Sequence, residues 1–202
     1  MLNDDAPLYC KNISKFAKSA AYWRTTSDKV RLRIGLWKSV ELERTSQGTV
    51  FILPGRSEYI EKYTKTGEIF IRLGYSVISI DWRGQGLSHR FLQNKKIGDV
   101  ANFAEYQNDV DALIDAAENF DLPKPWFILS HSMGGCIALR AMYRKLGFIS
   151  AAFTGPMWGI VIKNALLRPF ARTITKVARM LSLEKNYVPS TTNECYIATA
   201  EF

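Results

Sequence analysis

The stretch W-F-I-L-S-H-S-M-G-G-C-I-A-L-R, from Trp126 to Arg140, decides the fold of this chain. Its first residues are apolar and aromatic and predict a buried strand, and the residues from Met133 to Leu146 predict a helix that follows with almost no loop. A strand that turns directly into a helix needs small residues at the bend. Three such residues surround Ser132, namely Ser130, Gly134 and Gly135.

Ser132 occupies the central position of a G-x-S-x-G-like motif in which Ser130 replaces the first glycine. In a strand-to-helix turn of this kind the serine hydroxyl projects out of the sheet. The helix N-terminus and the amide after the serine then face the charge that develops on an attacked carbonyl. A serine at this position can also be a simple helix N-cap. Because strand, turn and helix occur in the required order, the motif favours a nucleophile at Ser132.

The composition predicts a globular domain with a basic surface. The chain has 202 residues, is 47% hydrophobic and 23% charged, and carries a net charge of +8. A domain of this size can bury a substantial core. The positive charge favours an anionic partner, which could be nucleic acid, an anionic membrane surface or an acidic substrate. Composition alone does not choose among these three.

The cysteines and the N-terminus predict a cytoplasmic protein. The N-terminal residues include no apolar run long enough for a signal peptide, and no later stretch approaches the length of a membrane span. The three cysteines are far apart, which fits a reducing cytoplasm better than a disulfide framework: Cys10, Cys136 and Cys195. Because the sequence has no C-x-x-C motif and no Cys/His cluster, we expect neither a metal nor an organic cofactor.

The order of elements predicts an α/β fold with a mostly parallel sheet and helices on both faces. Short apolar runs predict strands at residues 20–25, 30–37, 48–54, 76–81, 126–130 and 148–154. Amphipathic spacing predicts helices at about 58–73, closed by Gly74, and at 103–120. We therefore divide the chain into an N-terminal arm (1–19), a core (20–154) and a helical segment (155–202).

Three loops should leave the carboxyl ends of the strands, where parallel sheets bind their ligands. They are the Gly55-Arg56 turn, the run from Asp81 to Ser88, and the turn at Ser132. We expect these loops to converge on one crevice.

The motifs in these loops resemble those of the α/β-hydrolase superfamily. They are L-P-G-R at Leu53 to Arg56, D-W-R-G-Q-G-L-S at Asp81 to Ser88, and S-H-S-M-G-G at Ser130 to Gly135. The most similar branch is that of the monoglyceride lipases and bacterial lysophospholipases, also called serine aminopeptidase S33-like hydrolases. The resemblance covers roughly residues 50–154 well and implies the α/β-hydrolase fold.

The resemblance also implies a reaction and a set of site residues. Ser132 would be the nucleophile that forms an acyl-enzyme, and the backbone amides of Arg56 and Met133 would form the oxyanion hole. The substrate would be a small lipid ester, such as a monoacylglycerol or a lysophospholipid. The family implies a structural role for the loop from Asp81 to Ser88, in which Asp81 and Arg83 brace the neighbouring loops.

The catalytic base and acid are missing from the chain. The family places them after the serine, with the acid before the histidine, but His89 and His131 both precede Ser132. The acids after Ser132 are Glu184, Glu194 and Glu201, and none ends a recognisable strand. The sequence therefore predicts an N-terminal portion of a longer hydrolase, with an incomplete fold at its C-terminus. A catalytically silent, hydrolase-like chain that binds lipid or a protein partner is the alternative.

The segment after the last strand predicts a basic amphipathic helix. No acid occurs from Gly155 to Leu183, and five cations do: Lys163, Arg168, Arg172, Lys176 and Arg179. In the related lipases a helical cap begins at this point, and we expect the start of such a cap here. Residues 163–181 could also contact an anionic membrane or simply pack on the sheet. Nucleic acid is not expected, because no nucleic-acid-binding motif accompanies the charge.

Overall fold

The computed structural model describes residues 4–10, 17–39, 46–159 and 167–181. These residues form seven strands, β1 (Asp4–Ala6), β2 (Ala17–Thr25), β3 (Arg31–Ser39), β4 (Gly48–Leu53), β5 (Tyr75–Asp81), β6 (Trp126–His131) and β7 (Phe148–Thr154). They also form four α-helices, α1 (Thr64–Arg72), α2 (Tyr106–Asn119), α3 (Met133–Tyr143) and α4 (Leu167–Met180). Short 3₁₀ helices at Ile60–Tyr63 and Phe103–Glu105 lead into α1 and α2.

All seven strands belong to one sheet in the order β1-β2-β3-β5-β4-β6-β7. From β5 through β4 and β6 to β7 the neighbouring strands are parallel. The pairings of β1 with β2, β2 with β3 and β3 with β5 are antiparallel. The parallel arrangement expected from sequence thus holds for the half of the sheet that leads into Ser132, and the sheet as a whole is mixed.

Helices cover both faces of the sheet, as predicted, because the central strands are apolar on both sides. Every residue of β4 is buried. On one face, α1 and the preceding 3₁₀ helix pack against Trp37, Ile52 and Val77. On the other face, α2 and α3 pack over a larger cluster that includes Phe51 and Ile80.

Element boundaries differ from the predicted ones in ways that local chemistry explains. The predicted N-terminal arm (1–19) contributes two strands, since β1 pairs with β2 and β2 already begins at Ala17. The helix expected from residue 58 starts as a 3₁₀ turn at Ile60. Helix α3 ends before Leu146, because Lys145 and Gly147 adopt positive φ values of 57° and 84°.

The basic helix predicted after the last strand is present as α4. Several of its apolar side chains are exposed: Phe170, Ile174, Val177 and Met180. Within the described ranges, no helix has the length and apolarity needed to cross a membrane. Lys163 and most of the predicted helical segment (155–202) lie outside the described residues.

Candidate active site

Ser132 lies between β6 and α3 in a conformation that few non-glycine residues adopt. Its φ and ψ are 48° and −115°, a strained combination for a residue with a side chain. Three backbone hydrogen bonds fix it. The Ser132 amide donates to the Thr154 carbonyl (3.1 Å), and its own carbonyl accepts from Gly135 (2.9 Å) and Met157 (2.9 Å). The turn predicted from sequence is therefore held in place from both sides.

The two glycines after Ser132 permit close approach to neighbouring backbone. A Cβ at Gly134 would lie 2.1 Å from the Leu53 carbonyl oxygen, and one at Gly135 would lie 2.7 Å from Cβ of Pro156. Both contacts are much shorter than a real Cβ tolerates. The first turn of α3 is thereby pressed against the end of β4.

Ser130 fills the position of the missing first glycine without disturbing the turn. It is almost completely buried, with 1% of its surface exposed. Its hydroxyl donates to the carbonyl oxygen of Ala152 on β7 (3.2 Å). The small side chain therefore satisfies its polar group inside the sheet, as a buried hydroxyl must.

The two amides predicted to form an oxyanion hole both lie beside this turn. Met133 is the first residue of α3, so its amide has no acceptor within the helix. Arg56 lies in the turn that follows β4. Within the described part of the chain neither amide donates to another group. The hydroxyl of Ser132, a partly exposed residue, likewise has no hydrogen-bond partner there. Among the described residues, all three groups are thus without a protein partner.

The three loops converge as expected. The side-chain oxygen of Gln85 accepts from the Ser57 amide (2.5 Å), and Trp82 Nε1 donates to the Pro54 carbonyl (2.8 Å). These bonds join the turn after β4 to the loop after β5. The close approach of Gly134 to the Pro54 carbonyl also brings the first turn of α3 against the same turn.

Two buried arginines brace the loop after β5. Arg33 pairs with Asp81 at 2.7 Å, and Arg83 pairs with Asp109 at 2.8 Å. Asp81 also accepts from the Leu87 amide at 2.8 Å. Burial raises the pKa of Asp109 to about 6, although the Arg83 guanidinium acts in the opposite direction. The bracing roles that the family resemblance implied for Asp81 and Arg83 agree with these contacts.

Glu58 was not singled out in the sequence, yet its carboxylate organises the turn after β4. It accepts from the Gly55 amide (2.5 Å) and from the Tyr63 hydroxyl (2.5 Å), and it also contacts Lys62. Burial alone would raise the pKa of Glu58, but these three hydrogen bonds hold it below its usual value. Burial and Glu58 both raise the pKa of Tyr63, so its hydroxyl stays protonated and donates.

His131 points away from the nucleophile, toward β7 and Glu58. Its Nδ1 lies 3.0 Å from the Thr154 hydroxyl, which itself donates to the Ser130 carbonyl. While the Thr154 hydroxyl donates to the Ser130 carbonyl, it can accept a hydrogen bond from Nδ1. Nε2 lies 3.8 Å from Oε1 of Glu58. This arrangement gives His131 a packing and hydrogen-bonding role.

His89 lies far from Ser132 across the sheet. Its amide donates to the Arg31 carbonyl at the start of β3 (2.8 Å), and its ring makes an edge-to-face contact with Phe91. Three strand intervals separate β3 from β6, which is about 14 Å at the usual spacing. His89 and Ser132 therefore do not form a hydrogen-bonded pair.

The described residues include no group of three or more His, Cys, Asp or Glu side chains that could hold a metal ion. Cys10 and Cys136 are free thiols, and Cys195 lies outside the described ranges.

A family model described as "Serine aminopeptidase, S33" matches residues 44–197, which is most of the chain. The chain belongs to this family. The fold class and the family expected from sequence are both confirmed, including the likeness to lysophospholipases.

Two curated bacterial proteins illustrate the relationship. Lysophospholipase L2 of Escherichia coli is 41% identical over 118 residues, which are 56% of this chain and 34% of that protein. Phospholipase YtpA of Bacillus subtilis is 33% identical over 138 residues, or 67% of this chain and 51% of that protein. The chain thus spans about a third to a half of the length of these relatives.

Solved structures share the fold at low sequence identity. A soluble variant of monoglyceride lipase from Saccharomyces cerevisiae has a TM-score of 0.60 and 19% identity, and the match covers 87% of this chain and 56% of that one. An esterase from Pyrococcus furiosus has a TM-score of 0.57 and 21% identity, with 86% and 64% coverage.

Proposed function

We propose that the protein is a serine hydrolase of carboxylic esters. The Ser132 hydroxyl attacks the ester carbonyl, and the amides of Arg56 and Met133 hold the oxygen on which negative charge develops. The alcohol leaves as a base returns the serine proton to it, and an acyl-enzyme forms on Ser132. Water then attacks the acyl-enzyme and releases the fatty acid.

The conformation of Ser132 supports this reaction most directly. A residue with φ of 48° and ψ of −115° stores strain, and such strain in a turn of this kind is typical of a nucleophile held at a fixed angle. A serine that acted only as a helix cap would accept a hydrogen bond through its hydroxyl. Ser132 makes no such capping bond at the start of α3.

The base and the acid would come from sequence that this chain does not include. His131 is turned toward Thr154, and His89 is bonded to the start of β3, three strand intervals from β6. In the family order, an acid and then a histidine follow the nucleophile. The proposed activity is therefore that of a longer hydrolase of which this chain is a portion.

Lysophospholipids and monoacylglycerols are the substrates that we propose. The support is the similarity to proteins named lysophospholipase L2, phospholipase YtpA and monoglyceride lipase. Helix α4 follows the core where related lipases have a cap, and its exposed apolar side chains are suited to contact acyl chains: Phe170, Ile174 and Val177. We propose a cytoplasmic location, with the protein acting at the surface of a membrane.

Two measurements test this proposal. The first is the sequence of the native gene beyond the codon for Phe202, and the second is an assay of the protein that the gene encodes. We expect a strand-ending aspartate or glutamate, then a loop histidine, and release of fatty acid from lysophosphatidylcholine or monoacylglycerol. Release of amino acids from peptides, with no ester hydrolysis, would show that the enzyme is a peptidase and not an esterase. A stop codon directly after Phe202, with no hydrolysis of either substrate class, would contradict the enzymatic proposal.

The second candidate is a catalytically silent protein that binds lipid through α4. The basic, acid-free sequence of this helix and its exposed apolar residues favour an anionic membrane surface. Replacement of Arg168, Arg172 and Lys176 by glutamine should weaken binding to vesicles that contain phosphatidylglycerol and leave binding to neutral vesicles unchanged. Equal binding of both proteins to anionic vesicles would exclude this contact.

A further inference from the structure

The turn from Pro54 to Ser57 is held by side chains from outside it. The Pro54 carbonyl accepts from Trp82 (2.8 Å), the Gly55 amide donates to Glu58 (2.5 Å), and the Ser57 amide donates to Gln85 (2.5 Å). In the described part of the chain, the Arg56 amide between them donates to nothing. The residues on both sides of the proposed oxyanion donor are fixed, and the donor itself is left free.

Gln85 contacts both sides of the proposed oxyanion hole. Its side-chain oxygen binds the Ser57 amide, next to Arg56, and its Nε2 reaches Sδ of Met133 at 4.0 Å. Nε2 also donates to the Tyr106 hydroxyl (3.2 Å). Gln85 is 4% exposed. One buried amide group therefore touches both the turn that bears the first donor and the residue that bears the second.

The loop that carries Gln85 is itself fixed. A Cβ at Gly84 would lie 2.0 Å from the Asp99 carbonyl oxygen, and one at Gly86 would lie 2.1 Å from the Asp81 carboxylate. Both glycines have positive φ, which residues with a Cβ rarely adopt. The backbone amide of Gln85 donates to the Trp82 carbonyl (3.0 Å). Gln85 thus projects from a rigid loop. A residue needs such a support if it is to fix the distance between two other groups.

We propose that Gln85 is a positioning residue that fixes the Arg56 amide relative to the Met133 amide. It touches no reacting atom and acts through the turn that it holds. This inference rests on the proposed hydrolase function, and it gives the loop after β5 a role in the reaction beyond bracing. Donors of an oxyanion hole act only when they are aimed at the position of the developing charge. A displacement of about 1 Å can lower the rate about a hundredfold.

Gln85→Met in the protein encoded by the native gene tests the proposal, because methionine keeps most of the volume and removes both amide hydrogen bonds. We expect kcat to fall about a hundredfold and KM to change less than about threefold. Affinity for an alkyl boronic acid, which forms a tetrahedral adduct with the serine, should fall in parallel with kcat. Exchange of the Ser57 amide hydrogen should also become faster.

Gln107→Met is the matched control. Gln107 is 7% exposed, and its Nε2 donates to the Ile137 carbonyl (3.2 Å), away from the turn. It should lose a comparable amount of stability and keep kcat. Tyr106→Phe, which removes one partner of Gln85 and keeps the bond from the Ser57 amide to Gln85, should lower kcat less than Gln85→Met does, by about fivefold. This milder variant provides the test should Gln85→Met not fold.

Equal kcat values for the Gln85 and Gln107 variants would overturn the positioning role. So would a loss confined to KM, or unchanged affinity for the boronic acid. These outcomes require an active wild-type enzyme. Absence of ester hydrolysis by the wild-type protein itself would instead refute the proposed function, and the two failures are therefore distinguishable.

Discussion

Gly134 lies so close to Leu53 that a side chain at position 134 would bring its Cβ within 2.1 Å of the Leu53 carbonyl oxygen. This approach joins the first turn of α3 to the end of β4. The proposed oxyanion donors lie close by in the chain, Arg56 in the turn that follows β4 and Met133 at the start of α3. The glycine after Met133 is thus required by packing as well as by the turn itself.

Gly134→Ala should destabilise the fold, because the overlap is with backbone atoms that cannot move aside as a side chain would. We expect a loss of about 3 kcal/mol in the free energy of unfolding, measured by urea titration. Gly159→Ala is the control, since no atom of the described residues lies within 4 Å of a Cβ at Gly159. It should change stability by less than about 0.5 kcal/mol. Similar losses in both variants would disprove the close contact.

Ser132→Gly should be more stable than Ser132→Ala by about 1 kcal/mol, because glycine relieves the strain of a positive φ. At Ser130, which lies in β6 and lacks a positive φ, the order should reverse. Ser130→Gly should be less stable than Ser130→Ala, since glycine weakens a strand interior. Urea titration of the four variants measures both differences. The same order at both positions would argue against strain at Ser132.

Arg83→Met should cost about 3–5 kcal/mol at pH 8, because it leaves the buried Asp109 carboxylate without its cation. The pKa of Asp109 is already raised to about 6 by burial and should rise further. A carboxyl with a raised pKa is protonated in the folded protein at low pH and costs stability as pH increases. The loss should therefore be smaller at pH 5 than at pH 8.

Arg31→Met is the control for a surface pair. Arg31 and Asp4 form an ion pair at 2.7 Å, but both side chains are more than half exposed. Such pairs contribute less than about 1 kcal/mol. If Arg31→Met lost as much free energy of unfolding as Arg83→Met, burial would not determine how much stability is lost when an ion pair is removed.

Glu58→Gln should lower stability by about 1 kcal/mol at pH 7, because it removes the charge from the hydrogen bonds to Gly55 and Tyr63. The pKa of Glu58 is held below its usual value. Its stabilising contribution is therefore present above the unfolded pKa of about 4.3 and is lost as pH falls through the folded pKa. The difference between wild type and variant should shrink below about pH 4.

Glu118→Gln serves as the control for this pH dependence, since Glu118 is exposed on α2. Its stability should stay within about 0.5 kcal/mol of wild type at every pH. A Glu58→Gln deficit that persisted unchanged in acid would mean that the carboxylate charge is not what stabilises the turn.

The sequence predicts the central elements of the fold well, because their signals are local. The strand before Ser132, the glycines after it and the apolar run of β4 each specify their structure within a few residues. The sequence does not predict the antiparallel pairings that make the sheet mixed. The N-terminal strands β1 and β2 are short or partly polar, and their antiparallel pairing depends on contacts that no local pattern encodes.

The residues that hold the turn after β4 could not be found from sequence. Gln85 and Glu58 are polar residues in loops, where polarity is ordinary. Their partners are set by the folding of three separate loops against one another, as in the bond from Ser57 to Gln85 across 28 positions. The motif D-W-R-G-Q-G-L-S indicated that this loop matters but not which of its residues faces the site.

Labelling with a fluorophosphonate, which reacts with activated serines, shows whether Ser132 is the nucleophile. The protein encoded by the native gene is treated with the probe, digested, and the modified peptide identified by mass spectrometry. We expect one label, on Ser132, and loss of both the label and ester hydrolysis in Ser132→Ala. Ester hydrolysis that survives in Ser132→Ala, or a label on another residue of the active protein, would contradict the nucleophilic role of Ser132.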